Sequence, residues 1–411
     1  MNNSWFMKPS LCYIYTSATV SGQSSVQQKV CEQINALQDS GIAAFGLFVS
    51  SETTPMPGPT DTITFIRSQN VNTGYFRSIR QRRYNLLVVL DYLKQAPARP
   101  DIIFMRYPRA NMALWRFSRL WGARTVMNHV AAEVPEIHLH KNQNNSSFIA
   151  GLLGNLEFRW WPIFLEKLLG GIIRKNIRVG LCNSEDIALY QRRIAGGKYK
   201  TEIVSDGVDA KKYPAHVPPP YDEKLSLIFL KGASADASYN GLDKVFSALK
   251  NDPNCELTIV GHQLEYEKNI AEAAGVIKQV HFKAAMTAEE LTVEFAHHHL
   301  ALGAFGIHRR GLKSNSTLKN REYCARGIPF IFGHQDPDLL NATRDTKLWM
   351  EVAADEAPLN IADWRRFYSE FLAMPDGVGT LRQYAFEQLD YSKKMLELRN
   401  CLEIHFKEVF E

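Results

Sequence analysis

The chain is 411 residues long, 45% hydrophobic and 22% charged, with a formal net charge of +5 and a pI near 8.7. That composition excludes intrinsic disorder and leaves room for two domains of roughly 150–200 residues each. The charge is too mild to argue for nucleic acid, yet it suits anionic ligands or an anionic membrane face. Cys12, Cys31, Cys182, Cys255, Cys324 and Cys401 are scattered without C-x-x-C spacing and read as reduced, buried thiols, not as disulfides or zinc ligands. No stretch approaches the roughly 18 uninterrupted apolar residues needed to span a bilayer. The opening MNNSWFMKPSLCYIY lacks the build of a signal peptide, so the expected location is the cytoplasm.

Residues 11–16 form a β-rich run, and Val26, Val30, Ile34 and Leu37 then recur at helical spacing up to Gly41. Residues 42–49 read as the next strand. Strand, loop, helix and strand in this order open a doubly wound α/β domain. The intervening loop has no G-x-G-x-x-G; its Gly22 is either a point of close ligand approach or a turn glycine. Arg67, Arg77, Arg80, Arg82 and Arg83 make a solvated helix face or a contact for anionic lipid. Residues 101–105 and 124–127 are buried strands, the second running into NHVAAEVPEIHLH with His129, Glu133, Glu136, His138 and His140. Their spacing matches no zinc pattern. The stretch FIAGLLGNLEFRWWPIFLEKLLGGIIRKNIR is either an amphipathic segment lying on a membrane or a buried helix pair.

Residues 179–183 are expected as the last strand of a first domain spanning 1–213, with a helix after Ser184. The proline-rich segment 214–224 reads as a linker. A fresh α/β pattern fills 225–385: strands near 225–230, 256–261, 280–282 and 300–304, and helices near 242–249, 265–274 and 289–295. His297, His298 and His299, at a helix end, are expected to be exposed. Residues 386–411 form a long amphipathic helical region.

Within that second domain, GIHRRGLKSNSTLKNREYCARGIPFIF carries the chemistry. Ser314, Asn315, Ser316 and Thr317 can cap a helix starting near Leu318, Gly327 ends it, and residues 328–332 follow as a strand. A helix N-terminus carries about half a positive charge, and Arg309, Arg310, Lys313 and Lys319 surround this one. Together they outline an anion site suited to a diphosphate. Glu322, one turn on, faces the same way and fits a pair of ribose hydroxyls; alternatively it is a surface partner of Lys319.

This string resembles the donor-site signature of GT-B glycosyltransferases, in particular the family 4-like bacterial enzymes of surface-polysaccharide synthesis, where G-x-H-R-K-G-L precedes S-P-L-K-x-x-E-Y-x-A-x-G-I-P. YKTEIVSDGVDAKKYP is similar to the N-G-V-D segment that closes their first domain. The resemblance implies two doubly wound, Rossmann-like parallel-sheet domains facing across a cleft, with the acceptor in the first, the nucleotide sugar in the second, and residues 386–411 packing back onto the first. It implies that the backbone and side chains around Ser316, Thr317 and Leu318 hold the diphosphate, with positive charge from Lys231, Lys313, Lys319 or the Arg309–Arg310 pair, that Glu322 holds the ribose, and that Lys319 serves catalysis together with His129 and Glu133. Lys231 and Gly232, and the loop at Gly22, also approach the donor. His129 would lie over the donor sugar and Glu133 would face the acceptor. Departures are Ser314 in place of a glutamate, Thr317 in place of proline, and Ala233 and Asn240 where arginine and lysine usually stand. The implied activity is sugar transfer from a nucleotide-diphosphate donor to a glycan or polyprenyl-diphosphate-linked acceptor, with retention and without a metal or other cofactor. The setting would be surface polysaccharide or capsule synthesis, with peripheral contact at the inner face of the plasma membrane. A sugar-nucleotide-binding module without turnover and a sugar-nucleotide epimerase are the alternatives, the latter needing carboxylates such as Glu133 and Glu136.

Overall fold

Alternating side chains on a strand point to opposite faces, so a strand apolar at every position must be covered on both sides. Strand β1 (Ser10–Tyr15) obeys this rule in a computed structural model that describes residues 8–17, 25–52, 60, 62–71, 77–139, 159–232, 238–339 and 347–411. Its Cys12 and Ile14 pack with helices Arg77–Gln95, Met112–Trp121 and Trp161–Asn176. Leu11, Tyr13 and Tyr15 pack on the other face with helix Ser25–Asp39 and the C-terminal helix Tyr391–His405.

Around β1 the sheet runs β3 (Ile63–Arg67), β2 (Ala43–Ser50), β1, β4 (Ile102–Arg106), β5 (Thr125–His129), β6 (Val179–Cys182) and β7 (Thr201–Ile203), all parallel. The sequence made residues 179–183 the last strand; β7 follows them, and β3 was not foreseen. Both are edge strands, half-exposed or exposed along most of their length, so neither carries the apolar run that marks β1.

A second parallel sheet has the order β10 (Val280–Ala284), β9 (Cys255–Gly261), β8 (Leu225–Lys231), β11 (Leu300–Leu302), β12 (Phe330–Phe332) and β13 (Trp349–Glu351). Leu225, Leu227 and Phe229 face Trp364 and Tyr368 on one side, while Ile228, Phe330 and Phe332 face Tyr323, Cys324 and Leu381 on the other.

Two compact units result, one of Met1–Val204 with Lys394–Glu411, the other Ser205–Lys393. The division falls before residue 213 because residues 205–210 are tied into the second unit. Ser205 Oγ donates to Asp338 at 2.6 Å, Val208 N to Leu389 O at 2.9 Å, and Ala210 N to Asp390 at 3.1 Å. Residues 214–224 also lie against that unit, with Tyr221 stacked edge-on against Tyr368 and His216 N bonded to Arg326 O. The end of the chain belongs to the first unit through Met395, Leu398 and Leu402 and the Arg178–Glu408 and His405–Glu202 ion pairs. All six cysteines are free thiols.

The loop after β8 and the loop after β11 touch backbone to backbone. Phe305 N donates to Asn240 O at 2.9 Å and Gly306 N to Tyr239 O at 3.0 Å. Gly241 makes this approach possible: its φ is +66°, and a Cβ there would stand 2.7 Å from Gly306 N. Gly241→Ala therefore combines left-handed strain with a backbone clash and should cost about 1–3 kcal/mol. A lower thermal midpoint for the second unit, with the first unchanged, is the expected outcome by differential scanning calorimetry.

Candidate functional site

Open parallel sheets bind ligands at the carboxyl ends of their strands. At that end of the second sheet, three loops interlock. Beyond the Gly241–Gly306 contact, Gly333 N bonds Ala304 O at 2.9 Å, Asn315 N bonds Gln335 O at 2.9 Å and Gln335 N bonds Lys313 O at 2.9 Å. These bonds fix where helix Leu318–Arg326 begins.

The helix occupies the expected residues and ends at Gly327, φ +77°. Its start differs from expectation. Thr317 is the N-cap, but no side-chain oxygen takes a first-turn N–H, and Thr317 Oγ1 is buried without a partner. Ser316 Oγ is committed elsewhere, accepting from Asp206 N at 3.0 Å. The first-turn donors, which would otherwise be capped, keep their capacity for an anion.

Lys319 lies at this helix start. Its ammonium donates to Asn240 Oδ1 at 3.1 Å and sits 3.7 Å from the Phe229 ring centre. Burial, and next the Lys231 charge, lower its pKa to about 7. Asn240 stands where the resemblance expects a lysine; its amide oxygen holds the lysine that matches the S-P-L-K signature. Lys231 is itself buried, donating to His262 O at 2.9 Å and Gln263 O at 3.1 Å, with Glu267 at 3.6 Å. It acts as a second positive charge behind Lys319. Around Gly232 there is open space where a Cβ would go.

Two residues the sequence reading passed over adjoin this point. Asn320 is fully buried with neither amide atom paired, and a Cβ on Gly303 would meet its Oδ1 at 2.8 Å. His334 is fully buried, with Nδ1 3.2 Å from Ala304 O and Nε2 unpaired; burial lowers its pKa to about 4, so the ring is neutral. Buried polar atoms without partners are uncommon and mark places where water or a ligand completes the bonding. The available signal was positional: Gly333-His334 directly follows a central strand.

The other basic residues differ in availability. Arg309 is held by both oxygens of Asp243, each at 2.8 Å, and by Glu356 at 2.7 and 2.8 Å; these bonds raise its pKa. Two carboxylates thus engage the guanidinium expected to hold the diphosphate. Arg310 lies over the Tyr239 ring at 4.6 Å, and Lys313 is exposed. Glu322 does not pair with Lys319. Its Oε1 accepts from Arg326 at 2.8 and 3.0 Å, and burial raises its pKa. His298 and His299 are buried, not exposed: Ser226 Oγ and N bond their Nδ1 atoms at 2.8 Å each, and Glu294 and Pro220 O engage their Nε2 atoms.

In the first unit, His129 ends β5 and Glu133 begins helix Glu133–Leu139. Both are buried, 0% and 4% exposed. His129 Nδ1 is 3.4 Å from Glu133 Oε1 and its Nε2 3.1 Å from Tyr199 Oη, while Tyr107 stacks on the ring at 4.8 Å. Burial lowers the His129 pKa. Arg174, also fully buried, donates to Glu133 at 3.2 Å, to Gln191 at 2.6 Å and to Tyr107 Oη at 3.1 Å, and pairs with Glu166 at 2.7 Å. Gln191 Nε2 donates to both Glu133 oxygens, at 3.1 and 3.0 Å. Burial alone would raise the Glu133 pKa; Arg174, His129 and Gln191 together hold it below the usual carboxylate value. Gly22, Ala233 and His140 lie outside the described residues, as do the side chains of Glu136 and His138.

Among the described residues no group of three or more His, Cys, Asp or Glu could hold a metal ion, and no helix is long and apolar enough to cross a membrane. No family model matches the chain, and no curated protein matches it in sequence. Solved structures do match, over nearly the whole length. Sucrose-phosphate synthase from Thermosynechococcus elongatus superposes with a TM-score of 0.68 at 13% identity, covering 98% of this chain and 100% of that one. The fold is GT-B. WaaG, a glycosyltransferase involved in lipopolysaccharide biosynthesis, matches at 14% identity and TM-score 0.61, covering 96% and 99% of the two chains. HepE from Anabaena, in complex with UDP and glucose, matches at 11% identity and TM-score 0.60, with the same coverage.

A closed buried network predicts a structural phenotype. Glu133→Ala leaves Arg174 buried with one carboxylate in place of two and should destabilise the first unit by roughly 3–5 kcal/mol. The check is the thermal midpoint of the first unit, with that of the second unchanged.

Proposed function

We propose that the chain is a glycosyltransferase that moves a sugar from a nucleotide-diphosphate donor to a glycan or polyprenyl-diphosphate-linked acceptor in surface polysaccharide synthesis. The observation that carries this is the Lys319 ammonium bonded to Asn240 at the head of a helix whose first turn has no side-chain cap. When the sugar–phosphate bond breaks, negative charge grows on the leaving diphosphate, and donors already oriented there lower the barrier most. Helix N–H groups and Lys319 meet that charge, with Lys231 behind them, so the neutralisation is assigned to the protein and not to a metal ion. The acceptor hydroxyl forms the new bond to the sugar carbon and passes its proton to the departing phosphate oxygen. No side-chain base is then required, consistent with a buried His129 and Glu133. Retention follows from the resemblance, with acceptor and leaving group on one face of the sugar. Glu322 takes the ribose through the oxygen that Arg326 leaves open. UDP-sugars are the first donors to try, since HepE is solved with UDP-glucose. The reaction is assigned to the cytoplasmic side of the plasma membrane, where lipid-linked acceptors are held.

Lys319→Ala should lower kcat/KM by about 10²–10³-fold, as removal of one preorganised donor does elsewhere, whereas Glu322→Ala should weaken donor affinity about tenfold or more with a smaller effect on kcat. Release of UDP without acceptor separates a transferase from a binding module. Equal activity of both variants, or no binding of any sugar nucleotide, overturns the assignment.

The lysine also sets a pH dependence. With its pKa at about 7 in the free protein, an adjacent diphosphate favours the protonated form and raises that value. Donor binding should therefore take up a proton near pH 7–8 and weaken as pH rises above about 7. Calorimetric titration in buffers of different ionisation enthalpy measures the uptake, which Lys319→Ala should abolish.

A further inference from the structure

Arg109 has a backbone that residues with side chains rarely adopt. Its φ is +69°, in the left-handed region that only glycine enters without strain. The surrounding structure holds the turn in that shape. Ala110 N donates to the buried Glu166 at 3.0 Å, Asn111 Nδ2 donates to Arg109 O at 3.2 Å, and Glu166 is itself fixed by Tyr107 and Arg174. Glycine at this position would make the same turn at lower cost, so the strained arginine argues for a use of its side chain.

The turn follows β4, at the carboxyl end of the first sheet, where parallel sheets receive ligands. Helix Arg77–Gln95 is tied to the same end. Its Gln81 bonds Gln69 O at 2.8 Å and Val71 N at 2.9 Å beyond β3, and Asn85 Nδ2 donates to Thr16 O at 2.6 Å beyond β1. Arg82 stands between these two anchors, half-buried, close enough to Arg109 for the two charges to oppose each other. Burial, and next the Arg109 charge, lower its pKa to about 10. Arg106, the last residue of β4, is exposed beside them.

Like charges are thus gathered without a counter-ion. Among the described residues no carboxylate pairs with Arg82, Arg106 or Arg109, and Glu52, which follows β2 at this end, is no exception. Elsewhere in the unit Arg174, Arg178 and Arg192 each hold a carboxylate. We propose that Arg82, Arg106 and Arg109 form a subsite for a phosphate group carried by the acceptor. Guanidinium forks meet phosphate oxygens two at a time, and a multiply charged oxyanion relieves the repulsion between Arg82 and Arg109. That the bound molecule is an acceptor rests on the transferase reading; the anion chemistry rests on the arginines. A sugar phosphate and a lipid diphosphate offer the same group.

Calorimetric titration of the full chain with inorganic pyrophosphate, in saturating UDP so that the helix start at Leu318 is already occupied, tests the subsite. Binding should weaken as salt rises and fall about tenfold or more in Arg82→Gln and in Arg109→Gly. Arg109→Gly also relaxes the turn, so the thermal midpoint of the first unit should hold or rise while the anion is lost; an arginine kept for structure alone gives the reverse. Glucose phosphate and farnesyl diphosphate, titrated in the same way, tell the two sources apart by which binds more tightly, and either answer upholds the phosphate subsite. Pyrophosphate binding that is absent, or indifferent to both variants, overturns it. So does acetate binding as tightly as pyrophosphate, which makes the subsite one for carboxylates. Titration with UDP and UDP-glucose alone reports on the transferase reading: a chain that takes neither, yet binds pyrophosphate through these arginines, loses that reading and keeps the anion site.

Discussion

One electrostatic tension marks the second unit: the half-buried Lys319 ammonium, bonded to Asn240 and set against the Phe229 ring, lies under the influence of a second ammonium, Lys231. Lys319 is lowered to a pKa of about 7 because burial removes its hydration and Lys231 adds a like charge; Glu267 relieves only part of that. The unfolded chain would hold this proton up to the ordinary lysine range. Between about pH 7 and that range the unfolded state binds more protons than the folded one, so the folded state gains as pH rises through the window and carries the full penalty below it. An anion at the helix start relieves the same penalty.

Both units bury polar groups, and the manner of burial separates structure from site. In the first unit, His129, Glu133, Glu166, Arg174 and Gln191 satisfy one another within a few ångströms. Such a closed network fixes the junction of β5 with the helices after it. In the second unit, Thr317 Oγ1, the Asn320 amide and His334 Nε2 are buried and unpaired around the start of helix Leu318–Arg326 and the end of β12, and in the first unit Ser184 Oγ and Thr201 Oγ1 are likewise unpaired. An open set of this kind is expensive unless something completes it. Titratable residues clustered in sequence, as in NHVAAEVPEIHLH, are therefore weaker evidence of chemistry than unpaired atoms clustered in space.

This contrast explains how much was legible in the sequence. Central strands and amphipathic helices announce themselves by period, and helices Leu242–Leu249 and Glu265–Ala274 fall where their patterns put them. Edge strands β3, β7 and β13 are short and partly exposed, so their composition resembles that of loops. The helix at Leu318 was readable from its Gly327 stop, but the fate of its capping residues was not. Ser316 is drawn away by the Asp206 backbone, 110 positions distant in sequence. Arg309 reads as a free cation in GIHRRGLKS only because Asp243 and Glu356 come from remote elements.

The pairing of Lys319 with Asn240 bears most on whether turnover has been lost. Read along the chain, Asn240 is a missing cation and suggests a protein that binds without reacting. Read in space, it is the acceptor that holds a cation delivered by the helix. A lysine at position 240 would add a third ammonium beside Lys319 and Lys231, in a place where two already force one to give up its proton readily. An asparagine there offers an amide oxygen instead, and positions the remaining charge at the uncapped helix start. Lys319 matches the lysine of the S-P-L-K signature, so the bond to Asn240 orients a cation that the signature already carries and does not replace the one missing at 240.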